Sequence, residues 1–114
     1  MRVMYVSHPF QNKYSNYKRI QEIVDTLNTT YVGKYVFICP VLEFGRLYGS
    51  RKYEDDIQAC LELLDRCDGI IMCGDWLHSD GCMAEYRFAR STKHLTVSEL
   101  APVSYTHLRA HETR

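Results

Sequence analysis

The segment Gly74 to Ala89, GDWLHSDGCMAEYRFA, concentrates the side chains best suited to chemistry. It joins an apolar run to a helical pattern. Backbone N–H groups at such a helix start form an anion site, to which Ser79 adds a hydroxyl and Asp80 and Gly81 add a cap and an open turn. Glu85 falls inside the helical stretch, on one stripe with Cys82 at i−3 and Ala89 at i+4. Its small neighbours leave room for a ligand beside the carboxylate. On pattern alone, a surface glutamate on a solvated face is the plainer reading. A second acidic group, Asp55-Asp56, opens another helix. Acids there ordinarily serve the helix dipole. If one of them pairs with Glu85 across a site, one carboxylate would instead be the nucleophile and the other would donate or shuttle a proton. Neighbouring carboxylates can have their ionisation pushed apart, which gives two roles to one residue type.

Other candidates are weaker. Ser7, His8 and Pro9 follow a short apolar run; His8 can contact a substrate or make an ordinary loop hydrogen bond, and His78 has similar standing. Trp76, next to Asp75, can stack on a base or cover the end of a sheet, with packing slightly favoured. Arg46, Arg51 and Lys52 can meet a phosphate, although most loop charges are simply solvated.

The elements that position these residues alternate. Val3–Ser7 reads as a buried strand stopped at His8-Pro9. Tyr17, Ile20, Ile23, Val24 and Leu27 form one face of a helix, with Lys18, Arg19, Glu22 and Asp25 opposite and Ser15 or Asn16 as cap. Tyr35–Cys39 is a second strand. Residues 40–52 read as a long loop, which in a small domain is usually functional or mobile. Ile57, Leu61 and Leu64 mark a second helix, Gly69–Cys73 a third strand, and 74–78 a loop. A third helix runs from a cap at Ser79 or Asp80 to about Lys93, and Leu95–Val97 is a fourth strand. This order predicts a three-layer α/β fold with an open parallel sheet of four to five strands. Ligands of such sheets bind beyond the carboxyl ends of the strands, where Ser7–Pro9, Pro40 onward and 74–81 lie. No G-x-G-x-x-G and no G-x-x-x-x-G-K is present, so dinucleotide and P-loop chemistry lack their signatures.

Composition narrows the rest. The chain has 114 residues, enough for one domain. Its 14 basic and 14 acidic residues balance, which argues against nucleic acid as a partner. No apolar run approaches a membrane span, and the first residues lack the pattern of a secretory leader. Five cysteines, an odd number with no C-x-x-C pair, suit buried thiols in a reducing cytoplasm rather than disulfides or a zinc site. Residues 103–114, VSYTHLRAHETR, match consecutively one reading frame of a sequencing-library transposon adapter. Residues 102–114 are therefore set apart as an artefact tail and 1–101 as the single domain, with the natural C-terminus replaced. Removing Arg109, Arg114 and Glu112 from 14 and 14 leaves 12 basic and 13 acidic residues. His107 and His111 drop out as site candidates.

Three blocks carry a family resemblance. Tyr5-Val6-Ser7-His8-Pro9 resembles the Y-[IV]-S-G-P opening of nucleoside 2-deoxyribosyltransferase-like proteins. Asp56-Ile57 followed by Leu64-Asp65-Arg66-Cys67-Asp68-Gly69-Ile70-Ile71 resembles their D-I…L-x-x-C-D-x-[IV] helix and strand. Gly74-Asp75-Trp76, then Ser79-Asp80-Gly81-Cys82-Met83-Ala84-Glu85, then Phe88-Ala89 resembles their G-W-x-x-S-x-G-[AC]-x-x-E-x-x-x-A signature. The similarity spans residues 2–97 and is most like a small bacterial and phage-associated branch of unassigned function. It implies a flavodoxin/Rossmann-like sheet of order 2-1-3-4. It also implies cleavage or transfer at the N-glycosidic bond of 2′-deoxyribonucleosides. Glu85 would attack the anomeric carbon to give a covalent glutamyl-deoxyribosyl intermediate, and Asp56 would bind or protonate the departing base. Ser7, His8, Pro9, Trp76, Ser79, Asp80 and Gly81 would line the substrate site. The resemblance implies no cofactor, no metal and a homo-oligomer whose neighbours complete the site.

Departures shift this expectation. His8 replaces the usual glycine and narrows the site, and Asp75 is an extra residue before Trp76. Ser79 stands where transferases often carry an aspartate that grips the sugar 5′-hydroxyl. A neutral hydroxyl there tolerates a 5′-phosphate. Hydrolysis of deoxynucleoside 5′-monophosphates is thus the close alternative. A non-catalytic nucleotide-binding module and a purely structural domain complete the set.

Overall fold

A computed structural model describes residues 1–100 and the backbone of 108–110. Strand β1, Arg2–Ser7, is buried from Met4 onward and is an inner strand of the sheet. It pairs in parallel with β2, Tyr35–Ile38, on one side and with β3, Gly69–Met72, on the other. Strand β4, Thr96–Leu100, adds in parallel to β3. The order β2-β1-β3-β4 is the expected flavodoxin/Rossmann-like arrangement. A short strand β5, Leu108–Ala110, pairs antiparallel with β4, so the parallel expectation does not extend to a fifth strand. The seven residues between Leu100 and Leu108 are too few for the crossover that a parallel strand needs. The rest of the segment set apart as a tail lies outside the described residues.

Alternation along the strands splits the core into two layers. Met4 and Val6 pack with Ile20, Ile23, Val24 and Leu27 of helix α1, Tyr14–Thr30. Tyr5, Ile70 and Met72 pack on the opposite face with Leu64 of α3, Tyr53–Asp65, and with Cys82 and Ala89 of α4, Asp80–Arg90. Among the described residues, no helix is long and apolar enough to cross a membrane.

Several boundaries differ from the sequence expectation, each for a local reason. α1 begins at Tyr14 and places Ser15 and Asn16 inside its first turn; Lys13 is its cap residue, with no side-chain hydrogen bond. Asn16 Nδ2 instead donates to the Phe10 carbonyl at 2.9 Å. The expected loop 40–52 opens with a short helix α2, Pro40–Phe44, and a 3₁₀ turn, Gly45–Leu47. Pro40 stands at the first helical position, where its missing N–H costs nothing. Trp76–His78 also forms a 3₁₀ turn. α4 stops at Arg90 rather than near Lys93. Ser91 Oγ and Thr92 Oγ1 donate to the Phe88 carbonyl at 3.1 and 2.7 Å and close the last turn. The fourth strand is shifted to Thr96–Leu100 from the expected Leu95–Val97.

Candidate active site

The chain crosses from one side of β1 to the other between β2 and β3. This switch point opens a cleft beyond the carboxyl ends of β1, β2 and β3. Ser7 and His8 arrive from β1 and Val41 from the start of α2. Asp56 and Cys60 come from α3, and Gly81 and Glu85 from α4. The larger part of the cleft has a volume of about 340 Å³, and a more apolar part of about 110 Å³ shares Asp56, Cys60 and Glu85 with it. The larger part fits a small-molecule ligand.

Glu85 is not on a solvated face. It is 8% exposed, on the buried α4 stripe with Cys82 and Ala89. Oε1 accepts a hydrogen bond from Ser7 Oγ at 2.6 Å, and Oε2 accepts one from the Tyr5 phenol. Burial holds the Glu85 carboxyl above its ordinary ionisation range, and the two hydroxyl donors act against that rise. The same environment pushes Tyr5 well above the usual phenol range, through burial first and the neighbouring carboxylate second. Cys60 is pushed up to about 11, again chiefly by burial, so it is a neutral thiol in the wall.

Asp56 lines both parts of the cleft. Arg51 Nη2 lies 2.6 Å from its Oδ1, in a charge contact without hydrogen-bond alignment, and Oδ1 is buried with no hydrogen-bond partner. The Arg51 guanidinium is seated 5.5 Å from the centroid of the Phe44 ring. The cleft thus presents a second carboxylate held by a fixed cation.

The remaining predicted residues divide. Ser79 caps α4, its Oγ accepting from Cys82 N at 3.2 Å. Asp80 and Gly81 follow it along the cleft wall. Gly81 faces α3, where an added Cβ would touch Ile57 and Tyr53 at ordinary distance. His8 lines the cleft and is buried; its Nδ1 donates to the Pro9 carbonyl at 2.8 Å. Burial lowers its pKa, so the ring is neutral. Pro9 lines an adjoining pocket, not the Glu85 cleft. Trp76 is 3% exposed and packs against Tyr86 with ring centroids 4.8 Å apart, in the core layer beneath α4. It is placed as a packing residue, outside the described cleft walls. His78 is exposed and paired with Asp75 at 2.7 Å. Arg46 turns back to the Glu43 carbonyl.

Sequence reasoning missed Tyr5, Cys60 and the aromatic walls Phe10, Tyr48 and Tyr53. Tyr5 had a readable signal. It stands two residues before Ser7 on the same strand face, and a buried tyrosine needs a partner for its hydroxyl. Among the described residues, no group of three or more His, Cys, Asp or Glu is arranged to hold a metal ion.

No curated protein matches the chain. Residues 2–98 match the domain of unknown function DUF4406, and the chain belongs to that family.

Proposed function

We propose that the protein cleaves or transfers the N-glycosidic bond of 2′-deoxyribonucleosides, as in the nucleoside 2-deoxyribosyltransferase-like superfamily that its motifs resemble. One observation carries the reading. A buried glutamate, fixed by two hydroxyl donors, shares a ligand-sized cleft at the sheet switch point with a second carboxylate that is held by Arg51.

A Glu85 oxygen attacks the anomeric carbon, forming a C–O ester bond as the C–N bond to the base breaks. The bonding pair leaves on the base nitrogen. Asp56 takes a hydrogen bond from the base and Arg51 lies behind it to offset the developing negative charge. Water or an acceptor base then attacks the same carbon from the freed face. The ester bond breaks, its electron pair returns to Glu85, and the acceptor's proton passes to the departed base or to solvent. Two displacements retain the anomeric configuration. No cofactor takes part in this scheme. The exposed rim residues Phe44, Tyr48 and Tyr53 support a homo-oligomer in which a second copy covers the cleft mouth.

A second reading is hydrolysis of deoxynucleoside 5′-monophosphates. It is favoured by Ser79, a neutral hydroxyl at the start of α4 where an aspartate would repel a phosphate.

The experiment is a panel of deoxynucleosides and their 5′-monophosphates, with and without a free acceptor base, with released base followed by chromatography and Glu85→Ala as control. Exchange that needs the acceptor and is lost in Glu85→Ala supports transfer. Release from monophosphates alone supports hydrolysis. Ligand binding without any base release leaves a nucleotide-binding module and sinks the catalytic reading.

A further inference from the structure

Between β1 and α1 the chain reverses through a tight turn at 10–13, closed by Lys13 N donating to the Phe10 carbonyl at 3.0 Å. Both central residues have positive φ, +54° at Gln11 and +53° at Asn12. Asparagine enters this region more readily than most residues, because its short side chain bonds locally. Glutamine has no such ease, and its Cβ crowds the following carbonyl. The conformation persists because the turn is fixed from two sides. The Phe10 carbonyl accepts from Lys13 N and also from Asn16 Nδ2, at 2.9 Å. Glycine would make the same turn without the crowding. A strained residue held in place by its surroundings marks a site more often than a plain connection.

The turn places Gln11 at the cleft. The residue is exposed and lines the larger part, the one that also holds Glu85. It is not among the walls of the smaller apolar part, where Arg51 meets Asp56 and where the N-glycosidic reading sets the base. Gln11 therefore belongs to the sugar end of the cleft.

The other polar groups at that end have partners or charges of their own. His78 is engaged with Asp75, and Ser79 accepts from Cys82 N. Asp80 lies in the first turn of α4, where its charge meets the positive end of the helix. A primary amide differs from all three. It carries two donor hydrogens and an acceptor oxygen without any charge. That set matches a hydroxyl, which both donates and accepts.

We infer that Gln11 is a specificity-determining residue that holds the 3′-hydroxyl of the substrate's sugar while Glu85 reaches the anomeric carbon. The inference rests on the N-glycosidic reading and adds to it the group that recognises the sugar. A 2′-deoxyribosyl group has two oxygen-bearing carbons outside its ring bonds, C3′ and C5′. The monophosphate reading sets the 5′ end against Ser79 at the start of α4. The hydroxyl that remains is the one at C3′, and Gln11 meets it from the β1–α1 turn. With the base held at Asp56 and the sugar at Gln11, the ring is fixed at two ends over the Glu85 carboxylate.

The test uses the full chain, the Gln11→Gly variant, and whichever deoxynucleoside or 5′-monophosphate the native protein cleaves fastest. Glycine accepts the positive φ, so Tm is expected to stay level or rise. On that substrate kcat/KM is expected to fall about tenfold, as for one lost hydrogen bond. The measurement is repeated with the 2′,3′-dideoxy form of the same substrate. Native and variant proteins should then give equal kcat/KM, because the group that Gln11 holds is missing from both reactions. No loss on the parent substrate overturns the proposal. So does a loss of equal size on the parent and the dideoxy form, with or without a lower Tm, which would give the turn a folding role. Either result, obtained with base release that still depends on Glu85, leaves the glycosidic reading standing. No base released from any substrate by the native protein overturns both.

Discussion

Ser7 Oγ, at the end of the first strand, donates a 2.6 Å hydrogen bond to Glu85 Oε1, although the two residues stand 78 positions apart. Tyr5, on the same strand face, holds the other carboxylate oxygen. The strand therefore fixes both oxygens of a glutamate that the fourth helix carries beneath the cleft. Hydrogen bonds to a charged acceptor are stronger than neutral ones and also fix its orientation. A nucleophile needs that orientation more than it needs exposure.

Replacing the glutamate separates its chemical role from its structural cost. Glu85→Gln keeps the size and can engage both hydroxyls, but removes a buried charge. Base release should fall by at least about a thousandfold. Stability at neutral pH should rise, seen as a higher Tm. Calorimetry of the two proteins checks the second claim. A Gln variant that melts lower at neutral pH contradicts the account of Glu85 as a costly buried charge.

The pH dependence follows from the same group. Its carboxyl is held above the ordinary value of 4.5 by burial. Between that value and the raised native one, the folded protein binds more protons than the unfolded chain. Stability therefore rises as pH falls through this window, and the cost of the charge is felt above it. Activity runs the other way, because the ionised form is the nucleophile. A pH–rate profile should show its acid limb above the usual carboxylate range, while Tm improves across the same interval.

Tyr5→Phe removes a donor that opposes the rise. The acid limb should move to still higher pH, and kcat should fall about tenfold or more. Stability at neutral pH should drop by about 1.5–3 kcal/mol, since a charged acceptor loses a partner. Urea melts and the pH–rate profile of the variant measure both effects.

Asp56→Asn preserves shape and strips the charge that Arg51 contacts. Base release should slow about a hundredfold for ordinary bases. The loss should shrink for substrates with an intrinsically good leaving group, as rates across a leaving-group series would reveal. Equal losses for all leaving groups would place Asp56 in folding rather than at the base.

Gly74→Ala strains the junction of the third strand and the cleft. The residue has φ +63°, and a Cβ there would lie 2.8 Å from His8 Nε2. A destabilisation of about 1–3 kcal/mol is expected in urea unfolding, because His8 is buried and has little room to retreat.

The parts of the fold that rest on periodicity were readable from the chain. The Ile20–Leu27 face, the apolar strand runs and the Ser79 cap each follow from local pattern, and together they leave few topologies. Glu85, Asp56 and Ser7 were also legible as candidates. What pattern could not supply was burial. Only the third dimension turns Glu85 from a surface residue into a buried carboxylate, because its shielding comes from a strand 78 residues away. Trp76 shows the same limit: a loop tryptophan reads alike whether it faces a ligand or the Tyr86 ring, and pattern favoured packing only slightly. The recruitment of Arg51 to Asp56 depends on how residues 40–52 coil, and that short helix and turn lie below the length at which periodicity speaks.

The most direct test is to trap the ester. Protein mixed with a reactive 2′-deoxynucleoside is quenched in acid, digested and mapped by mass spectrometry. A deoxyribosyl adduct on the peptide carrying Glu85, absent from Glu85→Gln, is the expected result. Base release with no adduct there, or with the adduct on another carboxylate, contradicts the role assigned to Glu85.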